Sequence, residues 1–545
     1  MNYNLLKIQS PAFESAEAQK GPYKLEFHGL KHLHKVYWNL PNTALYEEAV
    51  FRGEGIISND GALVAATGKN THQAVNDRCI VKTPANQEKI WWGEHNRPFG
   101  EKSFELIYNR VKAYLQGRDV FVQDCYSSTD PEHRLPVRVI TETAWHSLFA
   151  RNMFFRAENI PEFIPEFTII HVPHFFGVPE VDSTRSDTFI LINFDQKVCL
   201  IGGTGYGGDI KKAVFTVMNY LLSYKNVLTM HCSANSGSNG DTALFFGFSG
   251  TGKTALAVDP TRSLIGDDVL GWGDDGIFNL EGGCYARAIA LTDESEPQIL
   301  AATKRFGAIL ENVVCDPITR RPDFSDTSIT NNARAAYPLQ YIDNAVADGR
   351  GGHPRNIIML TCDASGVLPP LARLTHEQAM YYFISGYTSK VAAGDTGKGP
   401  EPEVMFSACC GAPFMVHHPY KYAEMLHDKI ARYDARCWLI NTGWIGGPYG
   451  TGKRMSIPNA RKLLYAALDG SLDKVEYYTD PVFGLEIPKA VPGLPENFMQ
   501  PEKSWPDSQA FYRRRDKLAL LFNENFEKFK SGTPAKIVNA GPKRP

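Results

Sequence analysis

Two apolar runs, TFILINF at 188–194 and KVCLIGG at 197–203, are continuous rather than alternating. That pattern belongs to strands buried on both faces, and Asp195-Gln196 between them reads as a turn, so a strand pair is predicted. Apolar residues at helical spacing predict helices over 140–155 (ITETAWHSLFARNMFF) and 211–224 (KKAVFTVMNYLLSY). Further on, TALFFGF (242–248) predicts a strand, TALAV (254–258) a short helix stopped by Asp259-Pro260, and SLIGDD (263–268) a short strand ending in two acids. From about 225–230 onward the chain turns to short strands with Gly-rich turns. That change sets an expected division into 1–226, an α/β domain, and 227–545. Gly351-Gly352 and 394–402 read as surface loops, the first ~20 residues as a loose polar lead, and the tail after Gly532 as extended. No repeat of 20–50 residues is visible.

Composition narrows the class. Of 545 residues, 43% are hydrophobic and 21% charged, which excludes disordered and low-complexity chains. The balance of 57 basic and 60 acidic residues gives a net charge of −3, with pI ≈ 6.6. Bulk electrostatics thus offers nothing to a nucleic acid or an anionic membrane. No apolar run reaches the ~18 residues a membrane helix needs, and residues 1–20 lack the pattern of a secretory leader. The ten cysteines are scattered with no CxxC pair, so buried thiols in a reducing cytoplasm are expected rather than a disulfide framework.

The most specific motif is GFSGTGKT at 247–254, which fits GxxxxGK[ST]. Its setting, between a predicted strand and a predicted helix, suits a phosphate-binding loop. Glycines let backbone N–H groups converge on phosphate oxygens, and a helix N-terminus adds partial positive charge. Gly247, Phe248, Ser249, Gly250, Thr251 and Gly252 would form the cradle. Lys253 would bridge the β- and γ-phosphates, and the Thr254 hydroxyl would ligate Mg²⁺. The acids Asp267 and Asp268 end the next strand, where phosphate-loop enzymes deliver a carboxylate to the metal. His231 in TMHCSAN and the Lys211-Lys212 pair are unremarkable alone: a core histidine and a solvated helix start explain them.

Together the segments VYWNLPNTALYEEA, RLPVRVITETAWHSLFARNMF, TRSDTFILINF, YGGDIKK, MHCSAN, GFSGTGKT, LIGDD, EGGCYA, GVLPP, FSAC and NTGWIGGPYGTGKRMSI resemble, in order, the ATP-dependent phosphoenolpyruvate carboxykinase family. The resemblance implies an α/β, phosphoenolpyruvate carboxykinase-like two-domain fold, with the phosphate loop in the C-terminal mononucleotide-binding domain and the active site in the interdomain cleft. It implies an ATP-dependent phosphoryl transferase whose family chemistry turns oxaloacetate and ATP into phosphoenolpyruvate, ADP and CO₂. It implies that Lys212, His231 and Asp268 bind Mn²⁺, with Lys212 a neutral amine because an ammonium has no lone pair. Thr254 and Asp267 would serve the Mg²⁺ of the nucleotide. Ser249, Lys253 and Arg287 would handle phosphates, and Arg334 would bridge the transferring phosphoryl group and the enolate oxygen. Arg454 and Met455 would line the adenine site, and Glu296 and Tyr206 match further active-site positions.

One stretch departs from the pattern. The family's TGxxTGRSPxDK-like loop, whose Arg grips the substrate carboxylate, is here TGKNTHQAVNDR at 67–78, with His72-Gln73-Ala74 in place of Gly-Arg-Ser. A neutral amide cannot form the bidentate, charge-assisted pair that Arg forms with a carboxylate. His72 or Lys69 could supply the missing cation. Gly205 stands for a larger residue, Val269-Leu270 for Glu-His, and Ala333 and Ala460 for Thr. The phosphate and metal parts are thus kept and the acceptor-gripping parts altered. The favoured reading is a kinase-like member passing the γ-phosphoryl of ATP to another small-molecule acceptor, with His72, Gln73, Tyr206, Lys211 and Arg334 on the acceptor side. The alternatives are an ordinary carboxykinase of gluconeogenesis and a non-catalytic ATP-binding paralogue. A cytoplasmic monomer or small oligomer is expected, with no nucleic-acid or membrane partner.

Overall fold

The computed structural model describes residues 24–157, 163–248, 250–294, 296–390, 402–495 and 497–545. The chain forms two compact units, Met1–Val214 with Ala301–Pro338, and Phe215–Leu300 with Leu339–Pro545. The division falls inside helix Gly208–Leu222 rather than near 226, and a later segment, 301–338, returns to the first unit. Sequence texture could not reveal that return, because it is made by strand pairing over long range.

Among the described residues the first unit carries a nine-stranded mixed sheet. Its order runs Val36–Trp38, Val120–Ser127, Leu135–Thr141, Phe167–Val172, Val198–Gly202, Phe189–Asn193, Arg78–Val81, Arg97–Phe99, with Phe155–Arg156 beside Val120–Ser127. The two continuous apolar runs are its centre: Leu191 pairs with Leu200 in antiparallel register, and both are buried. Helix Glu101–Leu115 covers this core with Phe104, Ile107, Val111 and Leu115, one stripe at helical spacing. A second sheet pairs Leu63–Ala65 with Ile309–Glu311, and the latter with Arg334–Pro338. The register Ala65, Glu311, Arg334 thereby sets Arg334 across from the strand that leads into the 67–78 loop.

The second unit carries an eleven-stranded sheet among its described residues. At its middle, Thr242–Phe246, Pro354–Thr361 and Arg436–Asn441 run parallel. Strand Leu228–Ser236 lies antiparallel beside Thr242–Phe246 and pairs on its other side with both Ser263–Gly266 and Val269–Trp272. Helix Ile457–Leu468 packs on Arg436–Asn441, burying Ala460, Leu463, Leu464 and Ala467.

Several expected elements shift. The helix expected over 140–155 is Ala144–Met153, because Ile140 and Thr141 finish strand Leu135–Thr141. Gly351 is not loop but pairs across from Ile277. The tail after Gly532 is docked rather than extended: Ala535–Val538 is helical and Lys543 N–H bonds the Val482 carbonyl (2.8 Å). Residues 1–20 and nearly all of 394–402 lie outside the described residues. All ten cysteines are free thiols, eight of them buried. Among the described residues no helix is long and apolar enough to cross a membrane.

Candidate active site

Strand Thr242–Phe246 runs straight into the GFSGTGKT motif at 247–254. A Cβ on Gly247 would lie 2.6 Å from the Thr251 hydroxyl oxygen, so only glycine fits that close turn. Gly250 (φ +92°) and Gly252 (φ +86°) hold left-handed conformations that other residues adopt at a cost. Thr251 ties the loop together: its N–H (3.2 Å) and its hydroxyl (2.8 Å) both donate to the Phe248 carbonyl. The Thr251 carbonyl in turn accepts from the buried Thr442 hydroxyl (2.8 Å). The following helix, Lys253–Ala257, is only five residues long. Ser249 lies outside the described residues.

The two acids owe their position to strand register. Gly266 pairs with Ala234 and Val269 with His231, so Asp267-Asp268 bridges the two pairings opposite one strand. His231 Nε2 lies 2.8 Å from Asp268 Oδ1, and Lys253 Nζ donates to the same oxygen at 3.1 Å. Asp267 accepts from the Ser233 hydroxyl (3.0 Å) and the Thr254 hydroxyl (3.2 Å). Burial pushes the Asp267 carboxyl above its usual range; Asp268 adds to the rise and Lys253 opposes it. Burial also pushes Glu296 up to about 7, with the charge of Asp267 contributing. Val269 and Leu270 are buried strand residues.

Arg287 ends strand Gly283–Arg287 and is half-buried. The Arg454 guanidinium donates to the Gly250 carbonyl (2.7 Å) and lies 5.7 Å from the Trp444 ring, so it braces the 247–254 turn. Met455 is buried, its N–H bonded to the Gly443 carbonyl (2.7 Å). Sequence reasoning missed Ser233, Thr442 and the Cys410 carbonyl, which stands 2.6 Å from His231 Nδ1.

In the first unit, helix Gly208–Leu222 carries Lys211, fully buried, and Lys212, half-buried. Asn332 joins Arg334, Thr71 and Tyr206. Its Oδ1 accepts from Arg334 Nε (3.1 Å) and Nη2 (2.8 Å), while its Nδ2 donates to the Thr71 carbonyl (3.0 Å) and the Tyr206 hydroxyl (3.3 Å). His72 Nε2 meets Asn331 Oδ1 at 3.1 Å. Gln73 is half-buried, and its amide forms no hydrogen bond among the described residues. Lys69 pairs with Asp187, so its charge is already engaged away from Gln73.

Two buried histidines set the turn before Tyr206. His146 Nε2 donates to the Gly205 carbonyl (2.8 Å) and His171 Nε2 to the Thr204 carbonyl (2.9 Å). Burial lowers both, His171 to about 4, so both rings are neutral. A Cβ on Gly205 would stand 3.1 Å from the Thr67 carbonyl oxygen, which ties this departure to the altered loop. Asp209 closes the set: it accepts from the Ala74 N–H (3.1 Å) and the Thr204 hydroxyl (3.0 Å), and burial pushes it up to about 7.

A family model described as phosphoenolpyruvate carboxykinase matches residues 34–497. The phosphoenolpyruvate carboxykinase (ATP) of Geotalea uraniireducens is 53% identical over 517 residues, covering 94% of this chain and 97% of that protein. Phosphoenolpyruvate carboxykinase (ATP) 1 of Moorella thermoacetica is 52% identical over 521 residues, 95% of this chain and 99% of its own. The phosphoenolpyruvate carboxykinase (ATP) of Thermus thermophilus is 49% identical over 526 residues, with 95% and 99% covered.

Proposed function

Because the chain belongs to the ATP-dependent phosphoenolpyruvate carboxykinase family, whose members transfer phosphoryl groups, we propose that it is itself an ATP-dependent carboxykinase. It converts oxaloacetate and ATP to phosphoenolpyruvate, ADP and CO₂. This reading replaces the kinase with another acceptor that Gln73 suggested. Relatives about half identical over nearly the whole chain carry the carboxykinase name, which weighs for the same reaction.

The observation that carries the reading is the convergence of His231 Nε2 and Lys253 Nζ on Asp268 Oδ1, one strand from a glycine-shaped loop. The donors suit a divalent cation: imidazole nitrogen and carboxylate oxygen side by side, with a second buried carboxylate and a hydroxyl next to them. The proposed Mn²⁺ ligands are His231 and Asp268, with Lys212 as a neutral amine. Thr254 and Asp267 serve Mg²⁺ on the nucleotide. When bound, such ions stabilise charge on phosphoryl and enolate oxygens.

The chain's own residues do the rest. Loop N–H groups and Lys253 hold the β- and γ-phosphates, and Arg287 adds positive charge. The C–C bond to the departing carboxylate breaks, its electrons form the enolate, and the enolate oxygen attacks the γ-phosphorus in line as ADP leaves. Arg334, fixed by Asn332, steadies the transferring group. Tyr206, Lys211, His72 and Gln73 face the substrate, Gln73 through neutral hydrogen bonds. Glu296 and Met455 border the nucleotide. Ten free thiols support a reducing, cytoplasmic setting.

The test is purified protein with oxaloacetate, ATP and Mn²⁺, coupled to phosphoenolpyruvate detection. Turnover lost in Lys253→Ala supports the proposal. Absence of turnover where a related enzyme works rejects it.

A further inference from the structure

A carbonyl oxygen can only accept, so the 2.6 Å contact between Cys410 O and His231 Nδ1 requires the hydrogen to sit on Nδ1. Nε2 faces Asp268 Oδ1 at 2.8 Å, a contact that in the metal-free protein calls for a hydrogen on Nε2 too, so Nε2 becomes the ligating nitrogen when a cation between the two displaces that hydrogen. That carbonyl is not placed by ordinary backbone. Cys409 (φ 56°, ψ 24°) and Cys410 (φ 54°) are consecutive left-handed residues, a conformation disfavoured for side chains other than glycine. The surrounding turn holds them there. Cys410 N–H bonds the Ser407 carbonyl (3.1 Å), Gly411 N–H bonds the Ala408 carbonyl (3.0 Å), and Ala412 N–H bonds the Ser407 hydroxyl (3.2 Å).

The turn also packs on the imidazole directly. A Cβ on Gly411 would lie 3.2 Å from His231 Cβ and 3.6 Å from Nδ1. The Phe414 ring, just past the turn, stands edge-on to His231 at 6.2 Å, and Phe215 lies at 6.5 Å. Strain concentrated in one turn, whose carbonyl meets the histidine, points to a role for that turn.

We infer that the 407–412 turn is a positioning device for the cation site: the Cys410 carbonyl fixes His231 as its Nδ1–H tautomer, so that Nε2 faces the divalent cation beside Asp268. The inference rests on the cation site proposed above. It adds what holds that histidine in place. Hydrogen-bonded partners of this kind typically change metal affinity by about 10–100-fold.

Two measurements test it, both without oxaloacetate. In ¹⁵N-histidine-labelled protein with Cd²⁺, where His231→Gln identifies the signal, His231 is expected as Nδ1–H with Cd²⁺ coupled to Nε2. Coupling to Nδ1, or an Nε2–H tautomer, overturns the inference and leaves the carboxykinase reading standing. In Mn²⁺ titrations followed by electron paramagnetic resonance, Gly411→Ala is expected to weaken binding and Gly411→Val to weaken it about 10–100-fold, with metal-free ATP affinity and circular dichroism unchanged. Wild-type Mn²⁺ affinity in a folded Gly411→Val protein overturns it. Wild-type protein that binds no Mn²⁺ removes the cation site, and this inference with it.

Discussion

Asn332 holds the Arg334 guanidinium through both Nε (3.1 Å) and Nη2 (2.8 Å) on a single amide oxygen. The same amide donates to Thr71 and Tyr206, so one uncharged side chain orients the arginine and anchors the mouth of the 67–78 loop. Hydrogen bonds to a charged group are worth about 1.5–3 kcal/mol each. Asn332→Ala is therefore expected to lower kcat/KM about 10–100-fold, chiefly through kcat. Steady-state kinetics checks this, and unchanged kcat contradicts it.

Gln73 occupies the position where the family's carboxylate-gripping arginine is expected, and its amide is not engaged in a hydrogen bond among the described residues. Gln73→Arg adds a charged fork where a neutral amide stood. Its expected effect is a rise of about 10-fold or more in kcat/KM for oxaloacetate, measured beside wild type. An unaltered value means that the pocket has changed beyond this contact.

The buried Thr442 hydroxyl donates to the Thr251 carbonyl (2.8 Å) and lies 3.1 Å from the Thr361 carbonyl. Thr442→Val keeps the shape and removes the donor. Leaving a buried carbonyl unsatisfied costs about 1–3 kcal/mol. Lower stability by denaturation and weaker ATP binding by calorimetry are expected together, because the Thr251 carbonyl belongs to the phosphate loop.

Asp209 gives a pH dependence of definite sign. Its folded-state pKa is about 7, above its ordinary value of 3.8, so the folded protein holds a proton the unfolded chain has released. Below about pH 4 this group costs nothing. Between about 4 and 7 its cost grows with pH, and above 7 it stays at the full value, up to about 4 kcal/mol. Asp209→Asn removes that cost. Denaturation at pH 4.5 and pH 8 is expected to show the variant gaining on wild type at the higher pH; parallel behaviour contradicts the assignment.

The residues that were legible in the sequence act through local spacing. The 247–254 motif carries its glycines within eight positions, and Asp267-Asp268 follows the next strand. What was hidden depends on distant partners. Cys410 meets His231 across 179 residues and Thr442 meets Thr251 across 191. Asn332 reaches Tyr206 across 126 and Thr71 across 261. Residues 301–338 join the first unit only through pairings such as Ile309 with Leu63, which no local pattern carries. The helix start at Ala144 is hidden in the sequence because Ile140-Thr141 fits helical spacing equally well while ending a buried strand.

The central claim is that the γ-phosphoryl of ATP leaves on the enolate of oxaloacetate. Following ³¹P spectra of wild-type protein with ATP, oxaloacetate and Mn²⁺ tests it directly. One phosphoenolpyruvate is expected for each ADP formed. ADP accompanied only by inorganic phosphate, or a spectrum unchanged from the start, contradicts the account.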